Sequence, residues 1–277
     1  MNKMQLKNYD LSWTLLGGQA FNWDLEPEDN YLYGFTADKV IKLKKENDNL
    51  FWQTYPENDN LGYLKKYLRL DVDYLNIVKK IQKDSHIKSA IKKYPNLRLL
   101  KQDFEQTLLS FMISSNNNIR SIRKIIRTMC KKLGRKIALD GKEIYLFPET
   151  EIIANAELEA LLECKLGFRA KFLKSAARHL LKTNLIKEIT RFSESDARNK
   201  LKEIKGIGDK ITDCVLVFSL GFDNVTPLDI WGKRILTKFY KLNPKLNYEK
   251  MRSWINNYFD GYSAWAGQFL YEYIRHM

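Results

Sequence analysis

Apolar and polar positions trade places in short bursts over residues 1 to 56. LSWTLL (11–16), AFNWDL (20–25), YLYGFT (31–36), KVIKLKK (39–45) and LFWQTY (50–55) are aromatic or β-branched and are parted by Gly, Asp, Asn or Pro. That pattern predicts short strands in an antiparallel sheet. From Leu61 the spacing becomes helical and stays so. Ile119, Ile122, Ile125, Ile126 and Met129 fall on one helical face, which Gly134 closes. The other flank holds Arg120, Arg123, Lys124, Arg127, Lys131 and Lys132, a face of one sign. The join between the two patterns is expected between residues 57 and 95. The expectation is an α+β chain: a β-rich domain over 1–94, then a helical domain over 95–277 made of two subdomains.

Within the helical part, LKEIKGIGDKITDCVLVFSLGF (201–222) is the most informative stretch. Ser193 suits an N-cap, and Ala197, Leu201 and Ile204 share a face that Gly206 ends. Asp209 suits the cap of a second helix, with Ile211, Val215 and Phe218 on its buried face and Gly221 at its end. The result is a helix, a KGIG hairpin and a helix, spanning 201–220. Glycines at such a turn let the backbone approach a phosphate, and free N–H groups at the next helix start can bind one. A plain helix stop followed by a turn explains them equally.

Charge narrows the class of partner. The chain of 277 residues carries a net charge of +14, which points to a polyanion such as nucleic acid, with an anionic membrane surface second. Cys130, Cys164 and Cys214 are far apart and too few for a four-thiolate cluster. The longest apolar run, near Val215 to Phe222, is too short to span a membrane, and the N-terminus lacks the apolar core of a signal peptide. The chain is expected to be soluble and intracellular, cytoplasmic or at the nucleoid in a prokaryote, with no organelle signal and no membrane partner.

Two residues carry candidate chemistry. Lys210 follows the hairpin at once, where the positive end of the second helix and the nearby Lys205 disfavour an ammonium. The free amine is the nucleophile, so a position hostile to the charged form suits a reactive lysine. The same side chain suits a simple phosphate contact. Asp229 follows Pro227 and precedes IWGKRILTKFY, where it suits an N-cap. If the two helix starts converge, an amine and a carboxylate face each other, and that pair suits cleavage of a glycosidic bond.

LKEIKGIGDKITDCVLVF…TPLDIW resembles the helix–hairpin–helix DNA glycosylases. LLGGQAFNW (15–23), LRLLKQDFEQTLLSFMISSNNNI (97–119), LGFRAKF (166–172) and FDGYSAWAGQFLY (259–271) resemble their 8-oxoguanine DNA glycosylase/AP lyase branch, in the family's order and over most of the chain. The resemblance implies an N-terminal antiparallel sheet domain. It also implies a base-excision repair enzyme that turns a damaged guanine out of duplex DNA, because the bond is inaccessible within the stack. Lys210 matches the lysine that displaces the base and forms a Schiff base with the sugar, and Asp229 the aspartate that steadies positive charge there. Gly18 matches the glycine whose carbonyl accepts from the N7–H that only the lesion carries. Cys214, Phe218 and Tyr271 match the walls around the base. Gly206 and Gly208 match the phosphate-binding glycines, and Asn116 the asparagine that fills the vacated stack. Phe168 matches an aromatic wedge, and Arg169 an arginine that contacts the orphaned cytosine. No cofactor is implied, though the carbonyls of Lys202, Ile204 and Ile207 match a hairpin site for a monovalent or divalent cation. The expected partner is duplex DNA containing 8-oxoguanine, met by a monomer.

Three departures bear on substrate breadth. Ser121 stands where animal members have a second arginine that reads the cytosine, with Arg120 beside it. Gly267 falls where a glutamine reads the base edge, and Gln268 is one place on. Trp231 replaces a histidine near phosphate. A sibling glycosylase for another damaged base and a non-catalytic hairpin DNA-binding module are the competing readings. The lysine–aspartate pair speaks against the second, since a binding module needs hairpin amides but no nucleophile.

Overall fold

A computed structural model describes residues 1–56 and 60–277. Strands β1 (Asn2–Gln5), β2 (Trp23–Glu26), β3 (Tyr31–Phe35), β4 (Val40–Glu46) and β5 (Asn49–Tyr55) form one sheet in the order β1-β5-β4-β3-β2, with every neighbour antiparallel. Alternation fixes the buried face: Leu50, Trp52 and Thr54 point inward along β5, and Leu43 and Ile41 sit opposite Trp52 and Thr54 on β4. Leu11 and Leu15 cover this face, with Leu64, Tyr67 and Leu68.

The expected strand LSWTLL is a helix, Leu11–Leu16, and the sheet recruits Asn2–Gln5 instead. The reason is local. Leu11 and Leu15 need one buried face four residues apart, and the Asp10 side chain accepts from Trp13 N–H at 2.8 Å as an N-cap. The region after Leu61 is also not wholly helical. β6 (Lys136–Leu139) and β7 (Lys142–Tyr145) form a hairpin around Asp140–Gly141, a pair of turn residues favoured in two-residue loops. The start of the expected join, at 57–59, lies outside the described residues.

Helices make up most of the remainder. Tyr74–Ile81 and Ser85–Lys93 pack on the C-terminal helix Ser263–Arg275, and all three share the larger core with the hairpin helices. Ile122, Ile125, Ile126 and Met129 of Ile119–Leu133 are buried as the periodicity predicts, and Gly134 caps the helix. A strap over residues 97–102 joins sheet and helices. Gln19 Nε2 donates to the carbonyls of Thr14 and Arg98, and Gln19 Oε1 accepts from Leu100 N–H. Gln102 Nε2 donates to Gln19 O, and Gln102 N–H donates to Phe218 O at 2.7 Å. The Gly17–Gly18 turn is thereby fixed against the hairpin helices. Among the described residues, no helix is long and apolar enough to cross a membrane.

Candidate active site

The helix Glu194–Lys202 starts at Ser193, whose hydroxyl accepts from Asp196 N–H at 3.1 Å. It ends before Gly206 rather than at it. The N–H groups of Glu203 and Ile204 bond back to Lys200 and Leu201 in a tightened last turn, and Gly206 then turns the chain at φ +94°. An added Cβ at Gly206 would also lie 3.0 Å from the Phe172 ring. The next helix, Asp209–Val215, is capped by Gly208, not by Asp209. Asp209 occupies the first helical position, where its charge suits the dipole, and pairs with Lys202 at 2.7 Å. Beyond Val215 the helix widens into a π-helical segment, Leu216–Leu220, and closes on Gly221 at φ +82°. Ile211, Val215 and Phe218 are buried as expected.

Lys210 and Asp229 line one cleft of about 1270 Å³. Gly18, Cys214, Phe218, Gln268 and Tyr271 line it too, with Asn116, Gly206, Gly208 and Trp231. Phe168 and Arg169 do not line the cleft, but they are tied to its rim. Arg169 Nε donates to Ser115 O at 2.7 Å and its Nη2 to Asn116 O at 3.2 Å, while Phe168 is 58% exposed. Asn116 takes a left-handed conformation, φ +50°, which asparagine tolerates better than most residues. Of the three hairpin carbonyls named above, that of Ile204 accepts from Ile207 N–H at 3.1 Å. Among the described residues, no cluster of His, Cys, Asp or Glu could hold a metal.

The surroundings of Lys210 differ from those its own helix suggests. Its Nζ donates to Ser114 Oγ at 2.8 Å, and Ser114 donates to Phe111 O at 2.6 Å. Ser114 is the C-cap of the helix Phe104–Ile113, whose carbonyl end carries negative partial charge. The Phe111 ring lies 5.4 Å from Nζ. A helix start, hostile to the ammonium, is thus opposed by a helix end and a ring face that favour it. The expectation of a wholly unfavourable position is corrected on this ground.

Asp229 caps the helix Ile230–Lys238: its Oδ1 accepts from Trp231 N–H and Gly232 N–H, both at 2.9 Å. Cys214, between the two walls, has its thiol pushed up to about 12 by burial; Lys210 pulls it down and Asp229 pushes it up. Phe218 stacks on Phe111 with centroids 5.5 Å apart. Gly18 sits at φ +96°, and an added Cβ there would lie 2.5 Å from Ile119 Cδ1.

Several residues escaped the sequence reading. Ser114, which holds Lys210, stands two places before the asparagine run and could have been sought there. Tyr248 also lines the cleft. Its hydroxyl accepts from Leu228 N–H at 3.2 Å and donates to the fully buried Asp213 carboxylate. Asp213 pairs with Arg198 at 2.6 Å; Arg198 pairs with Glu194 at 2.8 Å, and Glu194 with Arg252 at 3.1 Å. Burial pushes the Asp213 carboxyl up to about 6 against the opposing pull of Arg198. Glu272, fully buried beside Gln268, is pushed up to about 7 by burial against the pull of Arg275.

A sheet domain, a helix–hairpin–helix and an amine and carboxylate on one cleft define a class of DNA repair protein. The profile described as "HhH-GPD superfamily base excision DNA repair protein" matches residues 109–259, and that described as "8-oxoguanine DNA glycosylase, N-terminal domain" matches residues 2–108. The chain belongs to the HhH-GPD superfamily of base-excision DNA repair proteins, in the branch that carries this N-terminal domain. It is similar to MBOgg1, solved with a low-affinity DNA ligand, at 32% identity and TM-score 0.92 over 99% of this chain and 95% of that one. It is similar to the Clostridium acetobutylicum 8-oxoguanine glycosylase/lyase, solved with duplex DNA bearing cytosine opposite 8-oxoG, at 28% identity and TM-score 0.89 over 100% and 98%. A curated relative is the Saccharomyces cerevisiae N-glycosylase/DNA lyase, 29% identical over 87% of this chain and 70% of that protein.

Proposed function

We propose that Lys210 and Asp229 carry the reaction of this base-excision repair enzyme, the removal of 8-oxoguanine from duplex DNA and scission of the strand at the abasic site. The observation that supports the pairing is that both residues, each at a helix start, line one cleft. A purine nucleoside turned out of the duplex enters between Phe218, Cys214 and Tyr271. The Gly18 carbonyl accepts from N7–H, a donor that undamaged guanine lacks. As the glycosidic bond breaks, positive charge grows on the sugar and the Asp229 carboxylate offsets it. The Lys210 amine bonds to C1′ and the base leaves with the bonding pair and takes up a proton. The ring then opens: the C1′–O4′ bond breaks, O4′ keeps the bonding pair and takes up a proton, and C1′ becomes a Schiff base with the lysine; loss of a C2′ proton then expels the 3′ phosphate.

Around the cleft, Gly206, Gly208 and Trp231 meet phosphate, Asn116 fills the vacated stack, Phe168 wedges the duplex and Arg169 contacts the orphaned base. A cation on the carbonyls of Lys202, Ile204 and Ile207 would brace the hairpin; the chemistry itself needs no cofactor. The enzyme acts as a monomer, which light scattering with and without a short duplex tests. A second reading, a different damaged base in the same cleft, is favoured by the missing side chain at Gly267 and separated by a panel of lesions.

The test is borohydride trapping on 8-oxoguanine duplexes with each of the four bases opposite. Wild type is expected to give a covalent protein–DNA adduct, and Lys210→Gln none. Adduct formation by Lys210→Gln would remove the lysine from the mechanism; absence of an adduct from wild type on every lesion would remove the lyase.

A further inference from the structure

After the helix Leu11–Leu16 the chain turns through Gly17 and Gly18, and its carbonyls are tied down around one exception. Leu16 O accepts from Arg123 Nη2 at 2.9 Å. Gly17 O accepts from Arg275 Nη1 at 3.2 Å. Gln19 O accepts from Gln102 Nε2 at 2.6 Å. The carbonyl of Gly18, between them, has no donor among the described residues. Gly18 itself lines the cleft, so a ligand there can supply the missing donor.

The two arginines come from different elements, Arg123 from Ile119–Leu133 and Arg275 from the last turn of Ser263–Arg275. Burial holds the Arg123 guanidinium below its ordinary range, and Arg127 and Arg275 add to this against Asp24. Cations gathered at one turn repel each other, and the carbonyl end of a helix offsets part of that cost. The fully buried Glu272 offsets more: Arg275 Nη1 lies 3.4 Å from each of its carboxyl oxygens. A Cβ on Gly17 would lie 2.8 Å from Glu272 Oε1, so the carboxyl is packed against the turn. The Arg275 guanidinium also lies 4.9 Å from the centre of the Tyr271 ring and 3.6 Å from where a Cβ on Gly18 would stand. Helix capping alone accounts for the bond to Leu16 O. It leaves unexplained the buried carboxyl behind Arg275 and the guanidinium laid on the Tyr271 ring.

We propose that Arg275, backed by Glu272, and Arg123 are positioning residues that hold the Gly18 carbonyl in place against Tyr271, so that reading the base depends on them while the later chemistry on the sugar does not. This rests on the reading above, in which that carbonyl accepts from N7–H. At position 7 the lesion presents a donor and guanine a lone pair. A carbonyl facing a lone pair is repelled, but the repulsion excludes guanine only if the carbonyl cannot withdraw. Two successive glycines make the most yielding backbone available, and a loose turn would swing the carbonyl aside. With the carbonyls of residues 16, 17 and 19 held, that escape is closed. A reading group discriminates only as well as the groups behind it fix its place.

The test compares two rates at saturating protein, each opposite cytosine: single-turnover excision of 8-oxoguanine, and borohydride trapping on a preformed abasic site, which has no base to read. The variants are Arg123→Met and Arg275→Met, which keep the length of the stem and drop the donors. Because Arg275→Met leaves Glu272 buried without its cation, Arg275→Met/Glu272→Gln is made beside it. Each is expected to slow excision roughly tenfold or more while trapping stays within about twofold of wild type. The proposal is overturned if the two rates fall together in these variants, which would assign the arginines to folding, or if excision keeps the wild-type rate. Wild type that traps abasic DNA yet leaves 8-oxoguanine in place would instead overturn the lesion assignment on which the proposal rests.

Discussion

Removing one oxygen atom, by Tyr248→Phe, tests how the carboxylate wall is held. The Tyr248 hydroxyl links the Leu228 N–H, next to Asp229, to the Asp213 carboxylate on the hairpin helix. The ring stays, so little packing is lost. The bond to a charged carboxylate contributes roughly 1.5–3 kcal/mol, and an N–H left without a partner costs about 1–3 kcal/mol. These overlap, and the expected loss is about 2–4 kcal/mol. In a chain of this length that lowers the unfolding midpoint by roughly 5–10 °C. The Asp213 carboxyl, already raised by burial, loses a donor that lowered it and rises further. In function, the loop that carries Asp229 loosens, and each ~1.4 kcal/mol of lost transition-state stabilisation is tenfold in rate. The assays are denaturant unfolding and single-turnover excision at saturating protein, with duplex affinity measured separately. A variant within about 0.5 kcal/mol of wild type that excises at the wild-type rate would refute the argument, since it would leave the strut without a load.

Ser114→Ala removes the acceptor that holds the Lys210 amine; borohydride trapping should slow roughly tenfold, and an unchanged rate would mean that DNA repositions the amine by itself. Gly206→Ala places a Cβ at positive φ beside the Phe172 ring and should cost about 1–2 kcal/mol of stability, read by thermal unfolding. Gly208→Ala, which meets no atom within 4 Å, should leave stability within about 0.5 kcal/mol yet weaken duplex binding measured by fluorescence anisotropy. Glu272, raised to about 7 from an ordinary 4.5, adds stability that is fully present below pH 4.5 and lost as pH rises through 7. Wild type should therefore lose on the order of 3 kcal/mol relative to Glu272→Gln across that window, and a flat difference would show that the carboxyl is not so perturbed.

Much of the site could be read from residue order because its pieces are local. The hairpin is written in consecutive residues, and the Ile119–Leu133 helix in five apolar positions on one face. Where the chain misled, the reason is also local. LSWTLL is a six-residue apolar run that fits either a strand or a helix, and only the Asp10 cap decides it. Asn2–Gln5 is almost wholly exposed at the sheet edge, so it carries no hydrophobic signal. The contacts around the catalytic candidates could not be read at all. Ser114 meets Lys210 across 96 residues, and Tyr248 meets Asp213 across 35. The two arginines on the Leu16 and Gly17 carbonyls are defined by what surrounds the turn, which spacing does not encode.

The π-helical turn at Leu216–Leu220 gives this stretch a numerical constraint. Its wide turn closes Gly221 N–H on Leu216 O, and the Phe218 carbonyl accepts from Gln102 N–H. Deleting a single residue here would let the ladder fall back to ordinary pitch, at no cost in local regularity. Each later residue in the turn would then swing by about 100° and advance by about 1.5 Å, taking one aromatic wall out of register with Phe111 and unfastening the strap. Substitution can tune this wall, but a change in chain length would dismantle it.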